Sequence, residues 1–220
     1  MFDFADARMR MIESQLRPNR VTQPDVVRAF SLIPRERFVP KSRRSMAYAD
    51  EAIAIGSGVH PRFLNPAMVT ARLIQALELN NDSLVLVVGA GTGYSSAVLA
   101  EIAGSVIGLE DDAEMASQAS DLLSELELSN TVIVDGPLQG GLPDQGPFDG
   151  ILIDGAVETV PETLFEQLKE GGRLATVEGM PPYSRAVLYE KIGDDVSRRA
   201  LFEASSKPLP GFERAHAFEF

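Results

Sequence analysis

The 220-residue sequence contains no cysteine and only two histidines, His60 and His216. The absence of cysteine excludes disulfide bonds, thiolate metal sites and cysteine nucleophiles, and it is compatible with a reducing cytosol. The two histidines lie far apart in the sequence, and no spacing typical of metal ligands is present. We therefore expect no metal site.

Long apolar runs and an excess of positive charge are also missing. The formal net charge is −12, and the one concentration of basic residues, between Arg35 and Arg44, is interpreted as a solvated loop. Such a charge repels nucleic-acid phosphates and anionic membranes. The amino terminus lacks the apolar core of a signal peptide, and nowhere do about 18 apolar residues run together as in a spanning helix. The sequence thus predicts a cytoplasmic protein that binds neither nucleic acid nor a membrane.

The most informative stretch covers residues 84–110. A run of apolar, mostly β-branched residues ends at Gly89, and Gly91 and Gly93 follow before a helical pattern begins. A second apolar run ends in Glu110, 21 residues after Gly89. This order of strand, tight turn, helix and strand is typical of one half of a doubly wound sheet.

The chemistry of this stretch favours a cofactor that contains adenosine. Glycines let the backbone pass close beneath a ligand, the helix start offers unpaired N–H groups, and a carboxylate at the second strand tip can accept hydrogen bonds from both ribose hydroxyls. Dinucleotide sites usually have G-x-G-x-x-G, but here Tyr94 takes the last position. The G-x-G-x-G spacing suits S-adenosylmethionine better. Two alternatives are a glycine turn that binds nothing and Glu110 as an ordinary solvated strand end.

The rest of the chain predicts helices first and strands last. Helices are expected over residues 3–16, from Thr22 and over 61–79, the last with Asn65 as its cap. Beyond Glu110, strands alternate with helices, and the final strand candidates follow one another without long helices between them. The strand candidates are 131–134, 148–153, 173–177, 187–192, 200–205 and 215–220. We therefore predict a doubly wound, mostly parallel α/β sheet with antiparallel C-terminal strands.

Several short motifs occur in a fixed order along most of the chain. They are MIESQLR (11–17), IPRERFVP (33–40), AYAD (47–50), PAMV (66–69), VGAGTGYSSAVLA (88–100), PFD (147–149) and QLKEGGRL (167–174). Together they resemble bacterial protein-L-isoaspartate O-methyltransferases, which use S-adenosylmethionine to methylate the free carboxyl group of isoaspartyl residues in damaged proteins. PRERFVP with AYAD is far more specific than the glycine turn, which every class I methyltransferase shares.

The resemblance implies a fold, a cofactor and a partner. The fold would be the seven-stranded, Rossmann-like methyltransferase sheet, with a helical extension at residues 1–58 and the main domain at 59–220. The cofactor would be S-adenosylmethionine, and the partner a protein or peptide that bears isoaspartyl residues. No catalytic residue is assigned, because a carboxylate acceptor is already ionised at neutral pH and needs no general base.

The resemblance also implies cofactor-binding residues. Gly89, Gly91 and Gly93 would line the methionine part of the cofactor, and Glu110 would hold its ribose.

Three further residues complete the candidate cofactor site. The family's Gly-Asp pair after the third strand appears as Gly136 and Pro137, with Asp135 adjacent, and Asp154 ends the fourth strand at the edge where ligands bind. For Asp135 and Asp154, a turn former and an ordinary strand end are the alternative interpretations.

The sequence departs from the family pattern at the acceptor side. Aligned on Pro66, Arg62 and Leu64 stand where the family has threonine and serine. The candidate substrate region comprises His60, Arg62, Leu64 and Asn65. Val87 stands where a glutamate is usual.

Three functional hypotheses follow. The first is a repair-type methyltransferase, and the second is a methyltransferase with another acceptor, an acidic one attracted by Arg62. The third is a catalytically silent binding module, because the substitutions affect cofactor and acceptor positions together. A nicotinamide dehydrogenase is disfavoured by Tyr94.

Overall fold

The computed structural model describes residues 3–56, 61–179 and 183–213. Its N-terminal part consists of short helical elements and one small hairpin. Asp3 caps the first helix by accepting a hydrogen bond from the backbone N of Asp6. The helical elements are α1 (Phe4–Met11), a π-helical turn (Ile12–Leu16), α2 (Pro24–Leu32) and 3₁₀ turns at Arg17–Asn19, Arg35–Arg37 and Lys41–Met46. The hairpin pairs β1 (Ile53–Ala54) with β2 (Phe63–Leu64) in antiparallel register.

The remaining strands form one seven-stranded sheet in the order β5-β4-β3-β6-β7-β8-β9. The strands are β3 (Leu84–Val88), β4 (Ser105–Glu110), β5 (Thr131–Asp135), β6 (Phe148–Val157), β7 (Leu168–Glu178), β8 (Arg185–Ile192) and β9 (Asp195–Glu203). The helices are α3 (Ala67–Leu77), α4 (Tyr94–Ala100), α5 (Ala113–Glu125) and α6 (Glu162–Glu166).

The strand directions confirm the prediction of a doubly wound, mostly parallel sheet with an antiparallel C-terminal end. Strands β3 to β7 pair in parallel, whereas β8 runs antiparallel to both β7 and β9. The strand candidate at 215–220 lies outside the described residues, and the division at residues 58 and 59 stays a prediction.

One predicted helix is shorter than the segment assigned to it. The segment 61–79 forms a helix only over Ala67–Leu77, and Pro66 rather than Asn65 occupies the N-cap position. Residues Phe63 and Leu64 are extended because they pair with β1. The assignment of Asn65 as the N-cap was therefore wrong. Its side chain instead donates to Asp154 of β6 at 2.8 Å.

Strand β3 lies between β4 and β6, so the strand order reverses its direction at β3. The carboxyl ends of these three strands meet at this point of the sheet, which is where open α/β sheets bind ligands. The N-terminal extension packs beside it, because the Tyr94 ring lies edge-on to Phe30 and Phe38, with ring centres 6.0 Å and 5.4 Å apart. None of the helices within the described ranges is long and apolar enough to cross a membrane.

Candidate cofactor site

The glycine turn after β3 has the geometry that the sequence indicated. Gly89, Gly91 and Gly93 all have positive φ, at 78°, 57° and 89°, a region that side chains with a Cβ rarely adopt. The backbone N of Gly89 donates to the Leu109 carbonyl oxygen at 2.9 Å, which fastens the turn to β4. The turn therefore brings backbone close to the end of β4, where Glu110 lies.

Glu110 is completely buried and its carboxylate points into the turn. Its Oε2 atom accepts from the Gly91 backbone N at 2.6 Å, and its Oε1 atom accepts from the backbone N of Asp111 and Asp112 at 3.2 Å and 3.3 Å. Burial raises the pKa of Glu110 to about 7, and the Arg62 guanidinium opposes that rise. Glu110 is the last residue of β4, as the sequence predicted, and its role in binding a ribose stays a prediction.

Arg62 occupies the space in front of this acid. Its Nη2 atom donates to Glu110 Oε2 at 2.8 Å and its Nη1 atom to Asp111 Oδ1 at 2.9 Å. A Cβ atom placed on Gly89 would lie 3.1 Å from the same Nη2 atom, so the guanidinium also covers the first glycine of the turn. The predicted substrate residue Arg62 is thus an ion-pair partner of the predicted cofactor residue Glu110.

Two apolar side chains lie on the glycine turn as well. A Cβ on Gly89 would meet Leu209 Cδ1 at 2.7 Å, and one on Gly91 would meet Ile55 Cδ1 at 2.9 Å. Leu209 belongs to a C-terminal segment that returns to β6, where its backbone N donates to the Ala156 carbonyl oxygen at 2.8 Å. Sequence reasoning missed Leu209, because its surroundings, SSKPLPG, carry neither periodicity nor a motif.

Asp154 lies at the same edge, within a polar cluster. Its carboxylate accepts from the Asn65 side chain at 2.8 Å and from the Ser95 hydroxyl. The Ser206 hydroxyl in turn donates to the Asn65 side-chain oxygen. Burial raises the pKa of Asp154, while the hydrogen bonds from Ser95 and Asn65 lower it. Ser95 lies within the VGAGTGYSSAVLA motif but was not predicted as a site residue, and Ser206 lies in no motif.

The other predicted residues lie around this centre. Asp135 is exposed and pairs with Glu110 across β4 and β5, and the Gly136 backbone N donates to the Glu110 carbonyl oxygen at 2.9 Å. Leu64 is buried in the hairpin opposite Ile53. His60 lies outside the described residues.

Side chains of the protein contact the positions that an adenosyl cofactor would need in this site. A ribose would need the Glu110 oxygen to which Arg62 donates, and a methionine moiety would need the space above Gly89 that Leu209 fills. The residue types fit such a ligand, but the positions of two side chains do not.

Comparison with known proteins identifies the family. Residues 7–203 match the family model of protein-L-isoaspartate(D-aspartate) O-methyltransferase. A protein-L-isoaspartate O-methyltransferase from Koribacter versatilis is 36% identical over 208 residues, which cover 94% of this chain and 92% of that protein. Another, from Anaeromyxobacter sp., is 40% identical over 172 residues, which cover 78% of this chain and 70% of that protein.

Solved structures agree on the fold. A protein-L-isoaspartate O-methyltransferase superposes with a TM-score of 0.81 at 26% identity, covering 93% of this chain and 66% of that one. A Plasmodium falciparum protein crystallised with S-adenosyl-L-homocysteine superposes with a TM-score of 0.71 at 20% identity, covering 95% of this chain and 99% of that one. Family model, relatives and fold all coincide, and the chain belongs to the protein-L-isoaspartate O-methyltransferase family.

Proposed function

We propose that this chain is an S-adenosylmethionine-dependent methyltransferase that acts on the free carboxyl group of isoaspartyl residues in proteins or peptides. The observation that carries the proposal is the Glu110 carboxylate, buried at the end of β4 and bonded to the Gly91 backbone N at 2.6 Å. A carboxylate aimed into a glycine turn is the arrangement that holds the ribose of an adenosyl ligand. Membership of the family supports the same acceptor.

The site requires little acid–base chemistry for this reaction. An isoaspartyl carboxyl group is ionised at neutral pH, so it needs no residue to remove a proton before it attacks a methyl group. Alignment of the two reactants, away from water, is then the main contribution of the protein. The shortage of histidine in the sequence is therefore no obstacle.

The direct test is transfer of a labelled methyl group. The purified chain is incubated with S-adenosylmethionine labelled in the methyl group and with an isoaspartyl peptide, and the base-labile methyl ester is counted. A peptide of the same sequence with ordinary aspartate is the substrate control, and Glu110→Gln is the protein control. Label on the isoaspartyl peptide alone, lost in Glu110→Gln, supports the proposal.

Two results would contradict it. Absence of label under conditions in which another family member works rejects the activity. Equal label on both peptides rejects the isoaspartyl specificity and favours another acceptor.

A catalytically silent binding module is the second candidate. It is favoured by Leu64, which stands in the acceptor region without a hydroxyl and is buried against the hairpin. A silent binding module would transfer no labelled methyl group to either peptide, although the chain is folded.

A cytoplasmic location is also inferred. The absence of cysteine supports it.

A further inference from the structure

The Arg62 guanidinium takes one Glu110 oxygen, Oε2, that a ribose hydroxyl would need. The two neighbouring hydroxyls of a ribose and the two terminal nitrogens of a guanidinium are both pairs of hydrogen-bond donors. Either pair can donate to a carboxylate. Here one arm of the fork reaches Glu110 at 2.8 Å and the other reaches Asp111 at 2.9 Å. Only 7% of the Arg62 side chain is exposed and none of the Glu110 side chain, so the contact with Glu110 is shielded from water.

Leu209 covers the neighbouring position. It lies against Gly89 of the turn and also against Gly155 of β6, where an added Cβ would come within 2.8 Å of the Leu209 Cβ. Two backbone hydrogen bonds join the segment that carries Leu209 to Ala156 of β6. The Ala156 backbone N donates to the Lys207 carbonyl oxygen at 2.9 Å, and the Ala156 carbonyl oxygen accepts from the Leu209 backbone N. The contact is therefore held by backbone hydrogen bonds and not by the side chain alone.

We propose that Arg62 and Leu209 form an internal plug of the cofactor cleft, and that Arg62 is the residue that sets how tightly an adenosyl ligand binds. This inference rests on the proposed function and concerns the same site. A ligand must displace the guanidinium from Glu110 and the Leu209 side chain from Gly89 before it can occupy the turn.

Electrostatics favour Arg62 over a ribose as the partner of Glu110. Ribose hydroxyls bring no charge, so a ribose that replaces Arg62 leaves the buried Glu110 carboxylate without its counter-ion. Removing one partner of a buried ion pair is costly because the other charge stays desolvated. The plug is therefore a strong competitor for the site.

The same geometry makes the plug displaceable. The Asp111 side chain is 41% exposed, so it lies at the boundary between the cleft and solvent. Arg62 can keep this partner while it releases Glu110, and its charge then moves to a hydrated position. The release of Glu110 thus needs a movement of the Arg62 side chain and no change in the sheet.

The test is calorimetric titration with S-adenosylhomocysteine. The proteins are the unchanged chain, Arg62→Thr, Leu209→Ala and the double variant. Arg28→Thr is the matched control, because it also removes an arginine paired with a glutamate, Glu101 at 3.0 Å, but on the surface away from the turn. Circular dichroism and thermal melting establish that each variant is folded. Leu209→Ala keeps the Arg62–Glu110 pair, so it tests the plug even where Arg62→Thr fails to fold.

The plug predicts that Arg62→Thr lowers the dissociation constant at least tenfold, that Leu209→Ala lowers it by a smaller factor, and that Arg28→Thr leaves it unchanged. Equal affinity of the unchanged chain, Leu209→Ala and a folded Arg62→Thr overturns the plug and leaves the proposed function intact. No binding by any folded variant overturns both. Tighter binding without methyl transfer to an isoaspartyl peptide upholds the plug and counts against the proposed function.

Discussion

The Arg35 guanidinium lies over the Tyr94 ring, with 4.8 Å between its Cζ atom and the ring centre. Arg35 is completely buried, and it also donates to the carbonyl oxygens of Ala47 at 2.7 Å and Asn65 at 2.6 Å. One side chain of the PRERFVP motif thus holds the AYAD segment, the loop before α3 and the start of α4. The N-terminal segment that carries Arg35 is thereby fixed beside the candidate cofactor site.

We expect Arg35→Lys to lower the free energy of unfolding by about 2–4 kcal/mol, because an ammonium group cannot reproduce the planar fork or its stacking on the ring. Urea denaturation followed by circular dichroism measures the change. Arg43→Lys, at an exposed position, is the control and should stay within about 0.5 kcal/mol. Equal losses in both variants would contradict the role of Arg35.

The stability of the Asp154→Asn variant should increase relative to that of the unchanged chain as the pH rises, because only the unchanged chain must bury an ionised carboxyl group. Burial raises the pKa of Asp154, so the ionised carboxyl is less favourable in the folded than in the unfolded state. That cost is absent below the unfolded pKa of about 4, grows above it, and is complete above the folded pKa. Asparagine is neutral throughout. Melting temperatures from pH 4 to pH 8 test this, and a constant difference between the two proteins would refute it.

The adjacent serines of α4 should respond in opposite directions. The Ser95 hydroxyl donates to Asp154, so Ser95→Ala should cost about 1–3 kcal/mol, because it leaves a buried carboxyl oxygen without this donor. The Ser96 hydroxyl is buried and has no hydrogen-bond partner within the described part of the chain. Ser96→Ala should therefore be neutral or stabilising by up to about 1 kcal/mol. Chemical denaturation compares them, and similar losses would show that the Ser95 bond adds nothing.

Gly104→Ala should destabilise the chain by about 1–3 kcal/mol, because the new Cβ would lie 2.5 Å from the Asn81 backbone oxygen, which cannot move like a side chain. Gly140→Ala is the control, since no heavy atom lies within 4 Å of the position of its Cβ. It should stay within about 0.5 kcal/mol of the unchanged chain. Thermal melting separates the two, and an unchanged Gly104→Ala melt would mean that the backbone at Asn81 yields.

The features that could be predicted are local in sequence. The turn at Gly89 and the position of Glu110 at the end of β4 follow from one stretch of strand, turn, helix and strand. The antiparallel end of the sheet follows from strands without long helices between them. The helical segment predicted over 61–79 began too early, because Phe63 and Leu64 pair with β1, a contact with a distant segment.

The features that could not be predicted depend on distant segments. Arg62 is 48 residues from Glu110. From the sequence alone, its positive charge could equally well bind an acidic methyl acceptor or pair with a carboxylate of the protein. Leu209 reaches the turn only because the chain returns to β6 after β9. Neither relationship has a periodic or motif signal, so a three-dimensional arrangement was needed to see them.

The return of the C-terminal segment to β6 has a consequence for protein synthesis. The ribosome releases the chain from its amino terminus, so the glycine turn and Glu110 emerge long before Leu209 does. Until then the upper surface of the turn has no aliphatic cover from that segment. A nucleoside that is present before Leu209 emerges therefore meets a turn that Arg62 and Ile55 cover without Leu209, whereas one added to the finished protein meets Leu209 as well.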